Sequence, residues 1–379
     1  MTFSSFTGPA IPYLIAAFAA AAVISFVLTP LVRRVALRVD AVDHPDHRRV
    51  NIVPIPRGGG VAVATAFIGV GLVFSIANGE LKFLPFPFAV DPANLVALLL
   101  GGAVAAAFGV LDDYFDLRAR WQFVGQLALA GLAIGLGILV EFIANPFGSG
   151  LLRLEGPFAI GFTALWIAGM INSINFIDGL DGLSSGVALI AAVVLGTISL
   201  TTQVSQPFIA VLCFGLAGAL LGFLRWNFHP ASVFVGTSGV MFIGYTLAVL
   251  AILGTAKVAV ALLVLGVPII DAFWIIVRRL SQRRSPFSPD RGHLHHRLLD
   301  VGLSHRQTVL LIYAICVVLG ALSLLLSGAN QVFAFGAVFV TIGLILFVLA
   351  RRDQGGVELD ATTTAAEPSP SQVEPSTRP

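Results

Sequence analysis

Acids, amides and histidines concentrate in a few short stretches of this chain. The first reads Leu111-Asp112-Asp113-Tyr114-Phe115-Asp116-Leu117-Arg118, three carboxylates within five residues. While that turn stays helical, Asp112 and Asp116 share a face and Asp113 points about 100° away. Carboxylates this close repel unless a divalent cation or a basic partner intervenes. Hard oxygen ligands suit Mg²⁺, which is commonly shared with substrate phosphates. The plainer alternative is a solvated helix end with Arg118 and Arg120 as counter-charges.

The second stretch runs from Asn172 through Asn175, Asp178 and Asp181 to Leu183, with Gly179 and Gly182 between the acids. Polar residues every third position line one stripe of a helix, and the glycines let the backbone bend or approach a ligand. A capping turn would also use Asn and Asp, but four in register exceed what one cap needs. The third is Asp290-Arg291-Gly292-His293-Leu294-His295-His296-Arg297, in a loop that also holds Arg278, Arg279, Arg283 and Arg284. His with Arg can bind a diphosphate through charge-assisted hydrogen bonds, although the Arg pairs also fit an anchor for anionic headgroups. Three His in four residues cannot all face one metal from a regular helix, which argues against zinc. A fourth stretch, Asp43-His44-Pro45-Asp46-His47-Arg48-Arg49 through Arg57-Gly58-Gly59-Gly60, offers glycines whose N–H groups could meet phosphate or simply pack. His229, alone between Phe228 and Pro230, reads as structural.

What positions these groups is a membrane. Of 379 residues, 57% are hydrophobic and 11% charged, against roughly a quarter charged in a soluble domain. Apolar runs centred near residues 21, 68, 102, 131, 164, 192, 215, 244, 267, 318 and 340 predict an all-α polytopic membrane protein of about eleven spanning helices. The first run lacks the basic flank and cleavage pattern of a signal peptide and should stay as a span. Cys213 and Cys316 lie within apolar runs and read as packed thiols. With the N-terminus outside and the C-terminus cytoplasmic, all the Lys and Arg except Lys82, Arg153 and Lys257 fall on the cytoplasmic side, as the positive-inside rule requires. The chemistry-bearing stretches fall there too. Residues 1–352 read as the membrane domain and 353–379, rich in Thr, Glu, Ser and Pro, as a disordered cytoplasmic tail.

The order of these motifs resembles the polyprenyl-phosphate N-acetylhexosamine-1-phosphate transferases, over roughly residues 10–350. The specific pieces are Asp112-Asp113-x-x-Asp116, Asn172-x-x-Asn175-Phe176-Ile177-Asp178-Gly179-Leu180-Asp181-Gly182-Leu183, and Gly292-His293-Leu294-His295-His296-Arg297-Leu298. The resemblance implies a bacterial inner-membrane enzyme. Its lipid substrate, most simply undecaprenyl phosphate, would attack the β-phosphorus of a UDP-sugar, most simply UDP-N-acetylglucosamine, and release UMP. It also implies that Asp112, Asp113, Asp116, Asp178, Asp181, His293, His295 and His296 act in catalysis. Arg57, Arg120, Asn172, Asn175 and Arg297 would contact substrate, and Asn175, Asp178 and Asp113 would hold Mg²⁺ or Mn²⁺. No nucleic-acid partner is expected, and a homodimer is expected from the resemblance alone.

One position departs from the pattern. Relatives usually carry an Asp where this chain has Thr237, in Phe234-Val235-Gly236-Thr237-Ser238-Gly239. A neutral hydroxyl is a weaker Mg²⁺ ligand, so the substitution raises the alternatives of a catalytically impaired homologue or of another UDP-hexosamine as donor. A transporter is the rival from another class; its sign would be an intramembrane charge, and Asp271, with Arg278 two turns on as a possible partner, is the candidate.

Overall fold

The computed structural model describes residues 2–43, 53–81, 90–145, 150–253, 257–285 and 292–364. Asp290, Arg291, Lys82 and the stretch from His44 to Arg49 lie outside them. The described chain is helical apart from two short hairpins. Its helices are α1 (Thr7–Arg38), α2 (Gly60–Leu81), α3 (Pro92–Phe115), α4 (Ala119–Gly135), α5 (Pro157–Ile177), α6 (Leu183–Ser199), α7 (Pro207–Asn227), α8 (Gly236–Ile252), α9 (Lys257–Val264), α10 (Gly266–Ser281), α11 (Leu294–Asp300), α12 (His305–Leu325) and α13 (Ala329–Thr364). α13 therefore runs past the predicted domain boundary at 352.

Among the described residues, seven helices (α1, α2, α3, α5, α7, α12 and α13) are long and apolar enough to cross a membrane. α9 and α10 meet at a 77° bend and together make an eighth span if they are one broken helix. The chain is a multi-pass membrane protein. Every apolar run read from the sequence falls in a helix, but α4, α6 and α8 have only 17 residues each. At 1.5 Å per residue such a helix covers about 26 Å, short of a roughly 30 Å hydrocarbon core.

Packing is tightest where small residues let backbones touch, as expected where apolar burial no longer separates helix from lipid. α1 lies along α7, and a Cβ at Gly222 would fall 2.1 Å from the carbonyl oxygen of Ala22. α2 crosses α8 at Gly60, whose added Cβ would meet the Gly239 Cα at 1.9 Å. The glycine run entering α2 is thus used for packing. Its amides are also taken: Gly59 and Gly60 N–H donate to the carbonyls of Phe234 and Val235, so neither is left for a phosphate.

Connections alternate between the two ends of this bundle. The last turns of α3, α5 and α7 and the first turns of α2, α4, α6 and α8 share one end. There β1 (Val42–Asp43) pairs antiparallel with β2 (Ile55–Pro56), bringing Asp43 opposite Ile55 and beside Arg57. At the other end β3 (Phe142–Ala144) pairs with β4 (Leu151–Arg153) just before α5 begins. Cys213 and Cys316 are free and buried in the core.

Candidate active site

At the end of α3 the carboxylates adopt three different settings. The helix stops at Phe115, and Asp116 caps it in the left-handed conformation (φ 50°), which Asp tolerates better than most residues. The simple helical-face reading of the three acids therefore fails, yet all three line one cavity. Asp112 is buried. It accepts the Leu117 N–H at 3.1 Å, and each of its oxygens lies 3.0 Å from the Gln122 side-chain amide nitrogen. Asp113, also buried, accepts the N–H groups of Thr237 (2.7 Å) and Ser238 (3.0 Å). These amides open α8, where a helix offers unpaired donors and positive potential to an anion. Asp116 is exposed and 3.7 Å from Arg57, whose guanidinium also bonds Asp43.

The α5–α6 connection supplies the next group. Asn175, Asp178 and Asp181 face the same cavity. Asp178 accepts the Ser184 hydroxyl at 2.5 Å. Burial pushes its carboxyl up to about 7, against the Ser184 hydrogen bond and helped by the nearby charges of Asp113 and Asp181. Asp181 accepts from His229 Nδ1 at 2.7 Å and from the Ala231 N–H at 3.0 Å. His229 stacks on His305 with ring centroids 4.1 Å apart. Asp181, His229 and His305 bring one potential ligand atom each within 4.8 Å of one another. His229 is thus tied to a candidate site residue, a pairing that its solitary place in the sequence does not signal.

The stripe predicted along α5 breaks at Asn172. Its side chain exchanges hydrogen bonds with Gln126 of α4 (2.6 and 3.3 Å) and donates to the Ala168 carbonyl, joining two helices outside the cavity lining. The histidine motif divides as well. His296 lines the cavity, whereas His293 and His295 do not. His295 is buried against Gly179, where an added Cβ would sit 2.3 Å from its Nε2. Burial, reinforced by the neighbouring histidines, holds its pKa well below the ordinary value, so the ring is neutral at physiological pH. Arg297 is buried and donates to the Gly292 carbonyl. Arg120 lies over the Trp121 ring at 5.7 Å, outside the cavity lining. Asp271 pairs with His293, not with Arg278 as the sequence suggested. Its carboxylate accepts from His293 Nδ1 and from the Leu294 N–H, each at 2.8 Å.

The cavity has a volume of about 400 Å³. Asp43, Asp112, Asp113, Asp116, Asp178 and Asp181 line it, with Arg57 and His296 as the basic residues. Gln122, Asn227 and Thr237 are also in its wall. Sequence reasoning missed Gln122 as a site residue, since nothing in its neighbourhood distinguishes it from an ordinary polar position at the start of a helix.

Fold and site together define a multi-pass membrane protein with an acid-lined cavity where its helices end. The pattern for glycosyl transferase family 4 matches residues 95–255, from α3 through α8 and the acidic motifs between them. A probable undecaprenyl-phosphate N-acetylglucosaminyl 1-phosphate transferase of Bacillus subtilis (strain 168) is 33% identical over 341 residues, 88% of this chain and 90% of that protein. The decaprenyl-phosphate N-acetylglucosaminephosphotransferase of Mycobacterium tuberculosis (strain H37Rv) is 38% identical over 320 residues, 77% of each chain. The undecaprenyl-phosphate alpha-N-acetylglucosaminyl 1-phosphate transferase of Escherichia coli (strain K12) is 29% identical over 330 residues, 84% of this chain and 83% of that protein. The chain belongs to glycosyl transferase family 4.

Proposed function

We propose that this protein transfers N-acetylglucosamine 1-phosphate from UDP-N-acetylglucosamine to a polyprenyl phosphate at the cytoplasmic face of a bacterial inner membrane. The activity of the relatives supports the reaction, and one observation about this chain carries it: six aspartates and one arginine share a cavity where membrane helices end. Such a cavity meets a lipid phosphate from the bilayer side and a water-soluble nucleotide from the other. An outer N-terminus and a cytoplasmic C-terminus follow from the same reading, because the basic residues gather at the cavity's end of the bundle; eleven spans would result if the short helices α4, α6 and α8 and the bent α9–α10 pair each cross. Residues 1–352 would form the membrane enzyme, and 353–379 would serve no part of the reaction.

The residues fit a divalent cation. Six carboxylates against Arg57 and His296 leave an excess of negative charge in the cavity wall. Asp113, Asp178 and Asn175 present the hard oxygen donors that would hold Mg²⁺ or Mn²⁺. When bound, the ion would neutralise diphosphate charge and polarise the β-phosphorus.

The remaining residues position and shield. Asp112, held by Gln122 and the Leu117 amide, would orient the acceptor phosphate and take its proton when it arrives protonated. Arg57 is fixed by Asp43 and Asp116 at the cavity edge, where it would meet a phosphate oxygen. An acceptor oxygen then forms a bond to the β-phosphorus while the bond to the α-phosphate bridging oxygen breaks. UMP leaves, and the sugar remains on a polyprenyl diphosphate. His296, which lines the cavity, would face the diphosphate.

Purified protein incubated with undecaprenyl phosphate, Mg²⁺ and a panel of UDP-hexosamines tests this reading by UMP release. UMP formed only with lipid, cation and UDP-N-acetylglucosamine is the expected result. Silence across the panel beside an active relative would overturn it.

A further inference from the structure

Helix α11 carries His295 and His296 but lacks a cap of its own. His293 takes the N-cap position with extended backbone (φ −63°, ψ 149°), and its side chain makes no capping bond. The cap comes from elsewhere. Asp271, in the middle of α10 and 1% exposed, receives the Leu294 N–H on one carboxylate oxygen and His293 Nδ1–H on the other. A carboxylate buried this deeply in a membrane protein is costly unless both oxygens are satisfied. Here the two partners are the first amide of α11 and the histidine that begins it.

From that pair a chain of contacts leads to the cavity. The His293 ring meets the edge of Phe176 at 5.5 Å and stacks on His295 at 5.5 Å with planes 14° apart. His295 is seated against Gly179, beside Asp178. Its ring lies 4.4 Å from that of His296, which enters the cavity wall.

We propose that Asp271 is a positioning residue for the transfer reaction: by capping α11 from α10 and fixing His293, it sets His296 in the cavity wall. It touches no substrate. Because its carboxylate accepts the Nδ1 proton, it also selects the orientation of the His293 ring, as carboxylates do for histidines elsewhere. α10 is aimed at this point by its 77° bend against α9, so a polar residue in an apolar helix is used to hold a catalytic-face loop.

The inference rests on the transferase reading, and its test separates the two. Asp271→Asn is nearly isosteric and can still accept one bond, but not both. In the full chain, UMP release should show kcat lowered about tenfold or more, with KM for the lipid and the melting temperature in detergent close to wild type. The same substitution in a His293→Ala background should cost less, because the ring is gone and only the Leu294 cap is left to weaken. Wild-type kcat in Asp271→Asn, or an equal loss in both backgrounds, would overturn the proposal while leaving the wild-type activity standing. Hydrogen exchange of residues 293–300 supplies a readout that needs no turnover. Faster exchange there in Asp271→Asn, with α5 unchanged, is expected; unchanged exchange would refute the cap. A wild type that releases no UMP would overturn the transferase reading alone.

Discussion

Asp112 and Asp113 are adjacent in sequence but differ in what holds them, and the difference assigns their work. Asp113 is clamped by two backbone amides at the start of α8, a setting suited to a fixed ligand. Asp112 accepts only one backbone amide, from Leu117, and is otherwise held by the Gln122 side chain, and so depends in part on a residue that can be exchanged without touching the backbone. Asp112→Asn and Asp178→Asn should each abolish UMP release while the protein still inserts and purifies as wild type; normal turnover in both would remove these residues from the site. Gln122→Leu should lower kcat about tenfold, the scale of losing a group that orients a reacting residue, with expression unchanged. Thr237 lines the cavity one residue into α8, next to the amides that hold Asp113. Thr237→Asp would add a carboxylate there and should lower the Mg²⁺ concentration that gives half-maximal rate. An unchanged requirement would mean that the other aspartates already supply the binding. The acids themselves were legible in the sequence because a carboxylate at a membrane helix end is conspicuous. Gln122 and the Asp181–His229 pairing were not, since each depends on a contact between segments whose spacing carries no period.

Helices were equally legible, because a run of apolar residues long enough for a bilayer has few other readings. Their lengths were less so. α4, α6 and α8 are each 17 residues, and the run near residue 267 is two helices at a 77° bend; hydropathy averages over such breaks. The glycines entering α2 illustrate the same limit. A glycine run is consistent with phosphate binding or with packing, and only the neighbour it touches decides. The α1–α7 contact makes a sharp test of packing. With backbone this close at Gly222, Gly222→Leu cannot be absorbed by a rotamer change. It should cost more than the roughly 1–3 kcal/mol of an ordinary overpacked core. The measurable outcome is a clear fall in melting temperature in detergent, or loss of the monodisperse species. Gly131 of α4, with nothing within 4 Å of an added Cβ, is the control, and Gly131→Ala should melt as wild type. Equal melting of the Gly222→Leu variant would mean that α1 is not packed where the structure has it.

At the scale of the whole molecule the question is which side of the membrane the cavity opens to. The ends of the bundle are distinguished by charge: the cavity end carries Arg33, Arg34, Arg38, Arg118, Arg120, Arg225 and Arg306, whereas the β3–β4 hairpin beyond the other end carries Arg153. On the proposed reading, the bias of Lys and Arg toward the cytoplasm would set the cavity inside and the hairpin outside. Both native cysteines are fully buried, so an introduced thiol can be labelled against a quiet background. Arg118 and Arg153 are both exposed, and they lie at opposite ends because α5 separates the hairpin from Asp178. In intact cells, Arg153→Cys should react with a membrane-impermeant maleimide and Arg118→Cys should react only after permeabilisation. The reverse pattern would turn the molecule over and place the acidic cavity away from the cytoplasmic nucleotide. The proposed reaction would then lack its donor even with every side chain in place.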